Sequence, residues 1–150
     1  MNSLGHLVTR HVLAPAEQAF TYLIDPIKLG RWSLGCFQTF MDDQSGVYSG
    51  TSLFDATQGW FRIDSEPARM LVDYWVGRPD NLAHRISARV VDGSTVSYDA
   101  GTCLVMMTAW RPANMGQERW ERLCSAHEAE IWLIKEQIET EHSKVSSTME

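Results

Sequence analysis

The sequence predicts an α+β fold: a curved antiparallel sheet with one long helix laid across it near the C-terminal end. Three observations carry this. Seven short segments between residues 7 and 110 have strand-type patterning and are separated by turn chemistry. Two short helical segments sit after the first strand. From Gln117 to about His142 the apolar period becomes helical: Trp120, Leu123, Cys124, His127, Ile131, Ile134 and Ile138 share one face, with Glu118, Arg122, Glu136 and Glu139 opposite. A long helix closing a chain of strands must lay its stripe on the sheet. If that sheet is curved, the pair encloses a cavity, and a polar group on the stripe points into it.

Residues 7–13 alternate weakly and form the first strand. Ala14-Pro15 ends it, proline being acceptable at a helix start. Residues 16–24 follow as a short helix with Ala19, Phe20 and Leu23 inside. Asp25-Pro26 breaks it, because the residue before proline avoids the helical region. Residues 27–32 make a second helical turn with Leu29 and Trp32 inside. Strands follow at 37–41, 47–54, 60–65, 69–76, 85–91 and 102–110. The first ends at the turn-rich stretch 42–46, the second at Gln58-Gly59 and the third at Pro67. Residues 77–81 form a polar loop holding Pro79, and Asp92-Gly93 predicts a hairpin. The last strand is apolar on both faces, as expected of a central strand or of a contact surface, which leaves a homodimer open. Asn114 and Gln117 fit a capping box at the start of the long helix. Residues 143–150 are polar and predict a frayed tail.

At 150 residues the chain is read as a single domain, 1–150. A net charge of −6 without a basic run argues against nucleic acid and anionic membranes as partners. The apolar windows are too short to span a bilayer, and the N-terminus lacks a signal-peptide pattern. Cys36, Cys103 and Cys124 are too irregular for a zinc motif and read as reduced thiols of a cytoplasmic protein. No phosphate loop, nucleophile elbow or histidine pair of ligating spacing is found, so neither cofactor nor metal is expected. Six tryptophans and seven methionines supply bulky, adaptable surface for an apolar cavity or simply for a core.

The stretch HVLAPAEQAFTYLIDPIKLGRWS, through Ala14, Pro15, Glu17, Phe20, Leu23, Asp25, Pro26, Leu29 and Trp32, resembles the opening of the START-like (SRPBCC) superfamily. IDSEPARMLVDY is similar to its strand–proline turn–strand segment. HEAEIWLIKEQIE is similar to the closing helix of its polyketide cyclase/dehydratase-like branch. The resemblance covers nearly the whole chain. It implies a helix-grip fold, with a seven-stranded antiparallel sheet around the last helix and a deep apolar cavity between them. Members include cyclases, dehydratases, carriers and chaperone-associated domains, so the fold does not choose a function.

Two residues are candidates for chemistry. Asp73 is the lone charge in MLVDYWV. Alternation groups it with Leu71 and Trp75, on the face that the resemblance implies lines the cavity, where burial would raise its pKa. The alternative register turns Asp73 to solvent and Val72 and Tyr74 inward. His127 can exchange a proton with a bound carbonyl or enol, or can be a structural histidine bonded to a strand. Trp32, Trp75, Met106, Thr108, Trp110, Trp120, Leu123 and Ile131 are the expected ligand-binding wall. Leu104, Met106, Thr108 and Trp110 are placed inward on the family resemblance. Arg10, Arg62, Arg85 and Arg89 read as surface or rim charges, and an arginine at a cavity mouth can hold a carboxylate by a two-point contact. The expected function is binding of a small apolar or aromatic molecule, with a cyclisation, dehydration or related proton transfer by Asp73 and His127. A non-catalytic carrier or sensor, or a chaperone-associated domain using the outer sheet face, are the alternatives. Titratable groups converging in the cavity favour the enzyme, and an all-apolar lining favours the carrier.

Overall fold

The computed structural model describes residues 3–149. Strand β1 (Gly5–Val12) leads into helices α1 (Ala16–Leu23) and α2 (Pro26–Trp32). Strands β2 (Phe37–Asp42), β3 (Val47–Thr51), β4 (Gln58–Glu66), β5 (Leu71–Arg78), β6 (Asn81–Asp92) and β7 (Cys103–Trp110) follow, and helix α3 (Gln117–Met149) closes the chain. The strands form one antiparallel sheet in the order β1-β7-β6-β5-β4-β3-β2. This is the α+β helix-grip architecture. No described helix is long and apolar enough to cross a membrane.

Local chemistry explains the short helices. Asp25 caps α2, accepting from the backbone N–H of Ile27 at 2.9 Å and of Lys28 at 3.3 Å, and Pro26 occupies the first helical position. α2 lies close against β2, where a Cβ on Gly30 would meet the Thr39 backbone nitrogen at 2.4 Å. Two irregularities bend the sheet: a register shift between Phe37 and Phe40, with Gln38 at φ 52, and another between Tyr74 and Trp75.

The core lies between α3 and the concave face of the sheet. Ile131, Ile134 and Ile138 are fully buried there with Val8, Val12, Val72, Tyr74, Ala88, Val90, Cys103, Val105 and Met107. Polar ties lock α3 to the N-terminal elements. Glu139 accepts from the N–H of Leu13 at 2.8 Å, Lys135 donates to the carbonyl of His11 at 2.9 Å, and Gln137 donates to that of Arg31 at 3.0 Å.

Several expectations need correction. On β7 the buried residues are Cys103, Val105, Met107 and Ala109, so Met106, Thr108 and Trp110 belong to the convex face. Pairing with β1 sets this, because Val8 opposes Met107 and Val12 opposes Cys103. On β5, Val72 and Tyr74 are buried, which turns Asp73 and Trp75 outward. The Tyr74 hydroxyl donates to the Leu23 carbonyl at 2.7 Å, so this aromatic ring is inside and its polar end is satisfied. α3 begins at Gln117, but the Gln117 side chain accepts from Arg111 at 2.7 Å and donates to Glu121 at 3.0 Å rather than closing a box with Asn114. The helix continues through residues 143–149, where a frayed tail was expected, and Glu150 lies outside the described residues. The polar loop at 77–81 is mostly strand, and the β6–β7 connection contains a 3-10 turn at Gly93–Val96 instead of a two-residue hairpin.

Candidate functional site

A cavity of about 390 Å³ lies between α3, the sheet and two loops, within the usual range for small-molecule sites. α3 contributes Arg119, Arg122, Leu123, His127 and Glu130. Val76 and Ile86 come from β5 and β6. Ser33, Gly35 and Cys36 come from the segment after α2, Ser52, Phe54, Asp55 and Thr57 from the β3–β4 connection, and Gln58 and Trp60 from the start of β4. That connection is built by local bonds. Ser52 N–H donates to Thr57 carbonyl at 2.8 Å, and Leu53 N–H to Leu34 carbonyl at 2.9 Å, tying the two loops together.

Two buried titratable side chains line the cavity. His127 is 1% exposed and Glu130 6%. Three residues apart on one helix, their Cβ atoms stand roughly 5–6 Å from each other on the same face. Both ring nitrogens of His127 are buried without a hydrogen-bond partner among the described residues. A buried polar atom left unpaired costs about 1–3 kcal/mol, so the imidazole on this wall retains unused hydrogen-bonding capacity. Glu130 accepts one bond, from the Leu34 N–H at 2.9 Å. Burial pushes its carboxyl up to about 8, only partly offset by that bond. Burial, helped by neighbouring His6, pulls His127 down to about 4. The His6 ring centroid is 5.7 Å away, and His6 itself pairs with Glu128 at 3.5 Å. At neutral pH the cavity therefore holds a carboxylic acid and a neutral imidazole. Cys36 stays a thiol because burial pushes it up to about 12. Cys124 is also raised by burial and by Glu128 and Glu121, which keeps it from acting as a thiolate partner to His127.

These shifts have opposite consequences for stability. Glu130 holds its proton more tightly folded than unfolded, so its contribution is complete below its ordinary value of 4.5 and is lost as pH rises to about 8. His127 resists protonation when folded, so its contribution is complete above 6.5 and is lost as pH falls to about 4. The two slopes oppose each other between 4.5 and 6.5, and Glu130 acts alone above that. Stability is expected to fall by about 2 kcal/mol between pH 6.5 and 8. Denaturant titrations at several pH values measure this. The slope should vanish in Glu130→Gln, and a slope that survives there would assign it to another group.

The structure brings His127 and Leu123 to the cavity but not Asp73. The Asp73 carboxylate lies on the convex face, accepting from the Ser87 hydroxyl at 2.5 Å and standing 3.2 Å from His84 Nε2. The sheet separates it from α3, so it forms no pair with His127. Trp75 stacks on His84 at 5.4 Å with Arg62 over its ring at 4.8 Å, and Trp110 meets His84 edge-on at 5.0 Å. Trp32 is core, packed against Tyr74, while Trp120 and Ile131 are buried away from the cavity lining. Arg10 covers Trp132 at 4.5 Å. The tryptophan on the cavity wall is Trp60, anchored by its N–H to Asp42 at 3.0 Å. Glu130 is the residue that pattern reading missed. Its spacing, three after His127 and four before Ile134, already placed it on the buried stripe. A second cleft of about 400 Å³, lined by Ile24, Tyr48, Phe61, Ile63 and Leu82 among others, contains no buried titratable group.

No family model matches the sequence, and no curated protein matches it. Solved structures do match in fold. The Zhui aromatase/cyclase from Streptomyces sp. R1128 superposes with a TM-score of 0.64 at 17% identity, over 93% of each chain. The di-domain ARO/CYC BexL gives a TM-score of 0.65 at 13% identity, over 93% of this chain and 47% of that one. A START superfamily protein from Mycobacterium smegmatis gives 0.59 at 10% identity, over 95% of this chain and 99% of that one. At these identities the likeness is one of fold: the chain shares the architecture of these START superfamily and aromatase/cyclase structures.

Proposed function

We propose that this START-like chain takes up a small aromatic or polycyclic molecule in the cavity under α3 and moves protons on it, in a cyclisation, dehydration or related step. The observation that carries this reading is the convergence of two buried titratable groups with complementary protonation. Neutral His127 offers a lone pair and protonated Glu130 offers a proton. For a ketone substrate, His127 takes a proton from the carbon beside the carbonyl while Glu130 gives one to the carbonyl oxygen, and the product is the enol. The enol carbon can then attack a second carbonyl of the same molecule to form a ring, and loss of water follows. The apolar wall supplies orientation and excludes water. A carrier needs only an apolar lining, and this lining is not apolar at its deepest point. The aromatase/cyclase structures of the same fold are in keeping with this chemistry but do not assign it.

Uptake is tested by filling the cavity. Leu123 is half-buried on the wall, so Leu123→Trp adds bulk there without placing a charge in the core. A naphthalene-type fluorescent probe should bind the wild type and lose on the order of tenfold in affinity in Leu123→Trp, while the melting temperature stays within a few degrees. Equal affinity in the two proteins, or no binding to the wild type, would remove this cavity as the site.

A further inference from the structure

The mouth of the cavity is cationic, in a chain of net charge −6. Arg119 and Arg122 both line it, three residues apart and therefore on one helix face. Arg122 is held in place, its guanidinium 5.0 Å from the ring centroid of Phe54. Asp55 lines the same mouth, its carboxylate bonded to the Thr57 backbone N–H at 3.1 Å and hydroxyl at 2.7 Å and also attracted by Arg122, so against the two arginines the mouth keeps one net positive charge. Arg119 forms no ion pair among the described residues.

The inner end is different in kind. His127 and Glu130 are both buried and both neutral at working pH. An anion placed there would lose its hydration and gain no countercharge. A carbonyl or hydroxyl would instead pair with the open imidazole nitrogens and the acid proton. His127 lies eight residues beyond Arg119, and Glu130 eight beyond Arg122, about 12 Å along the helix axis. A flat two- or three-ring body can bridge the two ends, once the reach of the arginine side chains is allowed for.

From this polarity we infer that the ligand is an aromatic or polycyclic carboxylic acid, its carboxylate held by Arg119 and Arg122 at the mouth and a neutral carbonyl or hydroxyl reaching His127 and Glu130. The inference rests on the reading of the cavity given above and adds the ligand's class and direction of entry. Guanidinium groups suit a carboxylate because they donate two parallel N–H bonds to its two oxygens.

The test compares a naphthalene carboxylate, the isosteric neutral naphthalene carboxamide and a naphthyl phosphate by calorimetry near neutral pH. The carboxylate should bind the wild type on the order of tenfold tighter than the amide, and raised salt should shrink that preference. In the double variant Arg119→Gln with Arg122→Gln, the preference should fall to about unity while amide binding is retained. Both side chains are exposed, so the variant is expected to fold, and its melting curve checks this. Equal binding of acid and amide to the wild type, or a preference that survives in the double variant, overturns the inference and leaves uptake standing. Tighter binding of the phosphate overturns the carboxylate assignment. Failure of all three to bind overturns the cavity reading as well.

Discussion

Ile134→Asp is expected to leave the protein largely unfolded at room temperature. Ile134 is fully buried on α3, in the cluster that joins the helix to the concave face of the sheet. Removing the isoleucine side chain alone costs roughly 2–5 kcal/mol in such a site. The new carboxyl finds no cation on the core side, where its neighbours are Ile131, Ile138 and the apolar face of β7. It must be buried charged or buried protonated, and either adds a further penalty of about 1–3 kcal/mol or more. A domain of this size has only about 5–15 kcal/mol in total. Trp132→Asp is the control. Trp132 is half-exposed two residues earlier, its ring covered by Arg10, so losing it should cost no more than about 1 kcal/mol. Circular dichroism on the two variants separates burial from a general intolerance of aspartate in α3. An Ile134→Asp protein that melts with the wild type would show that α3 does not pack on the sheet as described.

The helix stripe was legible because period alone defines it, and residues 120–138 obey a single period. The element order was legible for the same reason, aided by proline and glycine punctuation such as Asp25-Pro26. The strand register was not. β5 and β7 carry large apolar side chains on both faces, so alternation does not say which face is inside. The structure shows why both faces are apolar: Trp75, His84, Trp110 and Arg62 cover one another on the convex side, and the Asp73–Ser87–His84 contacts pair the polar groups of those three residues. What breaks the tie is tertiary, namely the Tyr74 hydroxyl on the Leu23 carbonyl and the pairing of β7 with β1. The cavity's acid escaped notice for a different reason. A glutamate on a helix is normally assigned to the solvated face, and only the arithmetic of 127, 130 and 134 argues otherwise. Its partner, the Leu34 N–H, comes from a loop that no local pattern links to α3.

Glu130→Gln and His127→Gln are each expected to remove most proton transfer while leaving ligand uptake intact. The amide introduced by Glu130→Gln would keep the shape of the side chain and a carbonyl oxygen for the Leu34 N–H, but it has no acidic proton to give. The amide introduced by His127→Gln keeps polarity on the wall but accepts protons far too weakly to serve as a base. General acid–base assistance is worth about a hundredfold to ten-thousandfold, and each variant should lose an amount in that range. A readout that needs no knowledge of the natural substrate is exchange of the hydrogens beside the carbonyl of tetralone, a two-ring ketone, in heavy water. His127 removes one such hydrogen while Glu130 gives a deuteron to the oxygen; the imidazolium exchanges that hydrogen for deuterium with heavy water entering the cavity, and return through the enol then delivers a deuteron to carbon. The rate should be flat where Glu130 is protonated and His127 neutral. It should fall above about pH 8 as Glu130 ionises and below about pH 4 as His127 takes up a proton. In Glu130→Gln the residual rate should lose the alkaline fall, and in His127→Gln the acidic one. A merely structural role for either residue would change the rate without moving the corresponding limb of the profile. Exchange at the wild-type rate in either variant, with tetralone still bound, would take that residue out of the mechanism, because a group that gives or takes the proton in the transition state cannot be removed without slowing the step.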